Sequence, residues 1–364
     1  MEKPKIIAFY LPQFHPFKEN DEWWGKGFTE WTNVAKAKPL FRGHDQPKIP
    51  ADLGFYDLRL PIIREEQARL AKEAGIEGFC YWHYWFGNGK RLMADIFDEV
   101  LETGKPDFPF CLAWANHSWY AKLWNKNDSS KDRLLIKQTY PGDDDIRMHF
   151  EFLLKAFKDE RYIKYDGAPV FVIFNPSDLP QHYVEEFQRL AKENGFTNGI
   201  YLVANITMRI QKEEDLLKAG YDAVTYQRLT FKNIDSVAGR ATRKLKSMVI
   251  RKILNRPIIS DYKEAIDYLI VPETDVSETV IPAIIPNWDH TPRSGVKGSL
   301  FKNASPENFK LLAKIALSVV SKKNNKLIFL KSWNEWGEGN YMEPDLKFGK
   351  GFINALREAI NESE

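Results

Sequence analysis

The chain has 364 residues, and its 52 basic and 50 acidic side chains give a net charge of +2. That balance excludes a global field able to draw the protein to nucleic acid, while 43% apolar and 28% charged residues exclude a disordered chain. The two cysteines, Cys80 and Cys111, are too few for a disulfide scaffold or a cysteine-rich zinc site, and both lie in apolar runs expected to bury them as free thiols. Along the chain, short apolar runs alternate with amphipathic stretches, the pattern of βα units and a parallel sheet. Strand one is predicted over 6–10, followed by a helix over 62–73 that Gly75 ends. Strand two (78–82) precedes a helix over 92–102 stopped by Gly104, and strand three (110–114) precedes one over 144–158. Strands four (169–174) and five (200–204) are followed by helices over 184–193 and 213–219, with Gly195 and Gly220 as stops. Strand six covers 223–226 and strand seven 280–285, then come a helix over 306–320, strand eight over 327–331 and a last helix over 352–359. Eight strands in strict alternation with helices predict a single (β/α)8 TIM barrel over 1–364. The competing architecture, a doubly wound open sheet, is disfavoured because no G-x-G-x-x-G follows any strand.

The connections after strand one (12–61) and strand six (227–279) are long, and loops of that length in a compact domain usually carry function or extra elements. The apolar run ending at Leu11 is too short for a signal-peptide core or a membrane span, and no small-residue cleavage site follows it. The chain is therefore expected in the cytoplasm. Within 240–255, Ala241, Leu245, Met248, Val249 and Ile253 fall at helical spacing with Arg and Lys on the other side. A barrel helix with a solvated basic face is the favoured account. The sharper alternative is weak contact with an anionic surface at the inner membrane.

The active site of such a barrel lies at the C-terminal ends of its strands. All 11 tryptophans fall at or just after strands one, two, three, seven and eight, which are contiguous around a closed barrel. Indole faces stack on the C–H faces of pyranose rings and indole N–H groups donate to hydroxyls, so this side of the mouth is expected to bind glycan. The candidate substrate-binding set is Tyr10, His15, Trp24, Glu30, Trp31, Trp82, His83, Trp85, Trp114, Asn116, His117, Trp119, Tyr226, Trp288, Trp333 and Trp336. About half of the tryptophans are expected to cap the barrel as core. Trp24, Trp85, Trp119 and Trp288 are the expected stacking surface. No H-x-H or H-E-x-x-H is present, so the histidines are assigned to hydroxyl binding and no metal or other cofactor is expected. Asp143-Asp-Asp145 has the D-x-D form of metal-dependent sugar transferases, but its place before an amphipathic stretch marks a helix start.

The strongest local signal is Lys331-Ser-Trp-Asn-Glu-Trp-Gly-Glu-Gly-Asn340, after strand eight. On a turn, residues three apart share a face, and Gly337 and Gly339 supply the backbone freedom for one. Glu335 and Glu338 would then share a pocket, where like charges push one pKa up and leave the other group ionised, separating an acid from a base.

Four segments carry a resemblance: Ile7-Ala-Phe-Tyr-Leu-Pro-Gln-Phe-His-Pro16, Gly27-Phe-Thr-Glu-Trp-Thr-Asn-Val34, Phe79-Cys-Tyr-Trp-His-Tyr-Trp85 and Ser332-Trp-Asn-Glu-Trp-Gly-Glu-Gly339. The chain resembles the WbsX-type family, also described as glycoside hydrolase family 99-like, over nearly its whole length. The resemblance implies a (β/α)8 barrel, a carbohydrate substrate and a link to bacterial surface polysaccharide. Family 99 enzymes are endo-acting α-mannosidases or mannanases that need no metal and carry two catalytic glutamates three residues apart after the last strand, matched here by Glu335 and Glu338. The first is implied to be the base on the sugar 2-hydroxyl and the second the acid on the leaving oxygen, through a 1,2-anhydro sugar with net retention. Glu338 is accordingly expected to have the raised pKa. The expected function is a retaining endo-glycoside hydrolase acting on a polysaccharide, with a glycosyltransferase of surface-polysaccharide (O-antigen or capsule) synthesis as the alternative.

Overall fold

The computed structural model describes residues 3–121, 133–207, 212–229 and 249–363. Eight parallel strands run in the order β7-β8-β1-β2-β3-β4-β5-β6: β1 Lys5–Tyr10, β2 Gly78–His83, β3 Phe110–Trp114, β4 Ala168–Ile173, β5 Tyr201–Ile206, β6 Ala223–Tyr226, β7 Ala283–Ile284 and β8 Leu327–Leu330. The ring closes between its two ends, where Val224 bridges Val280 and its N–H and C=O bond Thr279 and Ile281. The architecture is a (β/α)8 TIM barrel. Strands buried on both faces need apolar residues at every position, which is why β2, β3 and β4 are continuous apolar runs rather than alternating ones.

Strand seven is shorter than its apolar run because Pro282 has no N–H to give the ladder; only its carbonyl serves, accepting from Phe329. Helices Pro61–Ala74 and Ala94–Thr103 end on Gly75 and Gly104 in the left-handed region, as their stop signals require. Asp143, Asp144 and Asp145 occupy the first turn of helix Asp143–Phe157, where the helix dipole favours negative charge. The last helix, Gly351–Asn361, packs between Pro306–Ser321 and Pro61–Ala74 and so covers the outside of β8 and β1.

The long connection after β1 holds two short helices, α1 Lys18–Trp24 and α2 Glu30–Lys36. The one after β6 holds strand Ile258–Asp261 and helix Tyr262–Leu269, the strand pairing with Ser299–Lys302 from the connection after β7. An unanticipated hairpin, Trp119–Ala121 with Arg133–Ile136, rises after β3. Trp124 lies outside the described residues, as does most of the basic segment 240–255. No helix among the described residues is long and apolar enough to cross a membrane. Cys80 and Cys111 are buried free thiols in register on β2 and β3.

Candidate active site

After β8 the chain turns back on itself: Asn334–Glu335 pairs antiparallel with Asn340–Tyr341 around a 3-10 turn over Trp336–Glu338. The hairpin is tied into the barrel. The Trp333 N–H donates to the Phe9 carbonyl at 2.7 Å, and Asn334 bridges both backbone groups of Leu11 through its Oδ1 (2.7 Å) and Nδ2 (3.1 Å). Gly339 stands at φ +59°, where an added Cβ would come within 2.8 Å of Asp289. At Gly337 a Cβ would meet Glu30 Oε1 at 1.9 Å, so glycine here is required by the side chain pressed against it.

This turn points Glu335 and Glu338 into one cleft of about 490 Å³, within the usual range for ligand sites. Glu335 Oε1 accepts from Trp82 Nε1 at 3.1 Å and from Ser332 Oγ at 2.9 Å. Glu338 Oε1 accepts from Arg293 Nη1 at 2.6 Å, and the same guanidinium donates from Nε to Glu30 Oε1 at 2.8 Å. Arg293 sits on the short helix Thr291–Ser294, whose position is fixed by Asp289. The Asp289 carboxylate takes hydrogen bonds from His44, Gln46 and Thr291, and its N–H donates to the Glu338 carbonyl at 2.6 Å.

The electrostatics reverse one expectation. Burial raises the Glu335 pKa to about 7, helped by the facing Glu338 charge. Burial also works against an ionised Glu338, but the Arg293 and Lys331 cations outweigh it and hold that carboxyl below its usual range. Of the two, Glu335 is therefore the group that holds a proton more readily and Glu338 the one that ionises first. The spacing of the two glutamates left the assignment open and the resemblance implied the reverse; Arg293, supplied by a distant loop, is invisible to that spacing.

Five of the sixteen expected binding residues line the cleft with the glutamate pair: Trp24, Glu30, Trp82, His117 and Trp119. The others lie elsewhere. Trp31, Trp333 and Trp336 are buried beneath the hairpin, with Trp336 Nε1 donating to Glu343 at 2.6 Å and stacked on Tyr341. Tyr10 donates to Gln67, which in turn donates to the same Glu343. Asn116 braces Tyr140 and Asn175, and Trp114 donates to the Trp85 carbonyl. His15 is buried in the loop after β1, and Tyr226 donates to Glu213.

The expected stacking surface is thereby corrected. Trp85 is consumed by the core: its ring stacks on His149 at 4.5 Å, and its Nε1 donates to Asp145. His149 in turn bonds His83 at 2.9 Å, so that histidine too is taken. Trp288 is buried, with its Nε1 on Ser299 Oγ and its face on His290. Only Trp24 and Trp119 of the four face the cleft.

Sequence reasoning passed over Arg293, Tyr84, Lys331 and Asn20 as site residues, all of which line the cleft beside His290, one of the histidines assigned to hydroxyl binding. Lys331 was legible, since it opens the quoted motif. Arg293 and His290 follow Trp288 in the loop after β7, and a cation beside that tryptophan was the available signal. Asn20 had none, because Glu19-Asn20-Asp21 reads as a solvated stretch. Among the described residues no group of three or more His, Cys, Asp or Glu side chains could hold a metal ion.

Fold and cleft together define a (β/α)8 barrel whose mouth carries a buried acid pair between aromatic walls. The chain belongs to the family described as Glycosyltransferase WbsX, which matches residues 6–356. The uncharacterized protein WxcX of Xanthomonas campestris pv. campestris (strain B100) is 34% identical over 367 residues, covering 98% of this chain and 50% of that one. The chain thus spans about half the length of the curated relatives it matches. Among solved structures, a glycoside hydrolase-like protein superposes with a TM-score of 0.60 at 16% identity, over 99% of this chain and 94% of that one. The GH99 endo-α-mannosidase of Bacteroides thetaiotaomicron, in complex with bis-tris propane, gives 0.57 at 14% identity over 98% and 97%. At these identities the likeness is one of fold.

Proposed function

We propose that this protein is a retaining, endo-acting glycoside hydrolase that cuts a polysaccharide, α-mannan being the first glycan to try. The observation that carries the reading is the placement of Glu335 and Glu338 in one cleft walled by Trp24, Trp82 and Trp119, with burial raising the first carboxyl and Arg293 lowering the second. A one-proton pair supplies an acid and a base at the same pH. On this charge distribution Glu335 protonates the leaving glycosidic oxygen while Glu338 takes the proton of the sugar 2-hydroxyl. The 2-oxygen closes on the anomeric carbon as the glycosidic bond breaks, giving a 1,2-anhydro sugar. Water then opens that ring at the anomeric carbon, yielding its proton to Glu335, while Glu338 returns the other to the 2-oxygen. Two inversions leave the configuration retained.

The family's description supports a second reading, transfer, since a sugar hydroxyl replacing water in the second step gives a glycosidic bond with the same residues. A screen of defined polysaccharides and nucleotide sugars, read by new reducing ends and by nucleotide release, separates the two. Glu335→Gln is expected to lose far less rate on nitrophenyl glycosides than on the natural chain, because a good leaving group needs little protonation, whereas Glu338→Gln should lose rate on both. Near-normal turnover in either variant removes that residue from the chemistry. An inverted first product discards the mechanism.

A further inference from the structure

Asn20 lies on α1 with 1% of its surface exposed, and neither its Oδ1 nor its Nδ2 has a hydrogen-bond partner. Asn20 is among the residues that line the same cleft as Glu335 and Glu338. A buried amide is ordinarily satisfied, and one left open in a cleft is an address for a ligand. Trp24, one helical turn further on, shares the face of α1 that carries Asn20 and also lines the cleft. Its ring lies 6.0 Å from that of Phe28, so an aromatic surface continues past it. Helix α1 is also held by Trp23, edge-on to Trp119 of the hairpin at 6.0 Å, and the turn after it by the Gly27 N–H on Asp21 Oδ1 at 2.8 Å.

The chemistry of the two open atoms selects the ligand. An amide presents donors and an acceptor side by side. A carboxylate or phosphate would satisfy Nδ2 but face Oδ1 with lone pairs, and a cation would do the reverse. Neighbouring hydroxyls on a neutral ring both donate and accept, and the C–H face of such a ring lies flat on an indole. From this juxtaposition we infer that Asn20 and Trp24 form a subsite for an uncharged pyranose unit, the amide taking a vicinal pair of hydroxyls while the ring stacks on Trp24. The inference rests on the saccharide reading of the cleft and names the residues that would select a neutral sugar there.

Asn20→Leu keeps the branched shape and removes the unpartnered amide, so the two measurable effects should have opposite signs. Thermal stability of the free protein should be unchanged or raised, since a desolvated polar group without a partner is gone. Binding should weaken by about tenfold to a hundredfold, the loss expected for a hydrogen-bonding pair, borne by KM rather than kcat wherever turnover is seen. Calorimetric titration with neutral manno-, gluco- and galacto-oligosaccharides, and with their uronate counterparts, reads the affinity. Trp24→Ala should weaken the same neutral ligand. The inference is overturned if wild type binds none of the neutral sugars, if it prefers the uronates, or if Asn20→Leu binds as wild type does. It is equally overturned if Asn20→Leu lowers stability, which marks the amide as structural. Binding that behaves as expected with no bond cleaved by wild type upholds the subsite and removes the hydrolase reading.

Discussion

Replacing Glu335 by Gln should make the protein more stable and less active, with a pH dependence that identifies the proton it carries. The Glu335 carboxyl is raised from 4.5 to about 7, chiefly by burial. At 1.36 kcal/mol per pH unit, ionising it in the folded state costs roughly 3 kcal/mol relative to the unfolded chain. Below the unfolded value both states are protonated and no cost appears. Between about pH 4.5 and 7 the unfolded chain releases the proton first, so this contribution to stability is lost as pH rises, and above 7 the loss is complete. Gln is neutral throughout, keeps a carbonyl oxygen for Trp82 and Ser332, and turns an amide toward Glu338. Thermal or urea unfolding at pH 5 and at pH 8 is the assay. The variant should gain on wild type by roughly 2–3 kcal/mol between those pH values, part of the full effect being already present at pH 5, whatever constant offset the substitution brings. A stability difference that is the same at both would refute the placement of the proton on Glu335, and with it the role assigned to that residue.

Arg293→Met should leave Glu30 and Glu338 facing each other as buried, unpaired carboxylates, costing about 3–5 kcal/mol in urea unfolding. Adding Glu30→Gln should recover part of that loss, and a single variant as stable as wild type would show the ion bridge to be idle. Trp85→Phe should lose the bond to Asp145 and destabilise the fold by about 1 kcal/mol or more, with saccharide affinity unchanged. An affinity loss without a stability loss would return Trp85 to the binding surface. Exhaustive chelation should leave turnover intact, because the Glu30 and Glu338 carboxylates of the cleft are both paired with Arg293; activity lost and then restored by one divalent ion would overturn that expectation.

Much of the scaffold was legible because its determinants are local. Apolar runs, amphipathic stretches and glycine stops each lie within a dozen residues, and they placed all eight strands in sequence order. The glutamate pair was legible for the same reason, since a three-residue spacing across Gly337 needs only a turn to bring both groups to one face. The one-sided tryptophans likewise fall on the side of the mouth where the cleft opens. They could not say which rings face outward, because core and cleft both reward a large apolar face, and the choice depends on what packs behind it. Trp85 became core when His149, from the helix after β3, stacked against it, whereas Trp119 stayed at the wall on a hairpin the sequence had not revealed. The proton assignment was decided at still longer range. Glu30 and Arg293 are 263 residues apart, yet they meet against Gly337, and Arg293, 45 residues before Glu338, favours the ionised form of that glutamate. Sequence patterns record what each segment needs from its own neighbours; the field at a site is the sum over segments that only the closed barrel brings together.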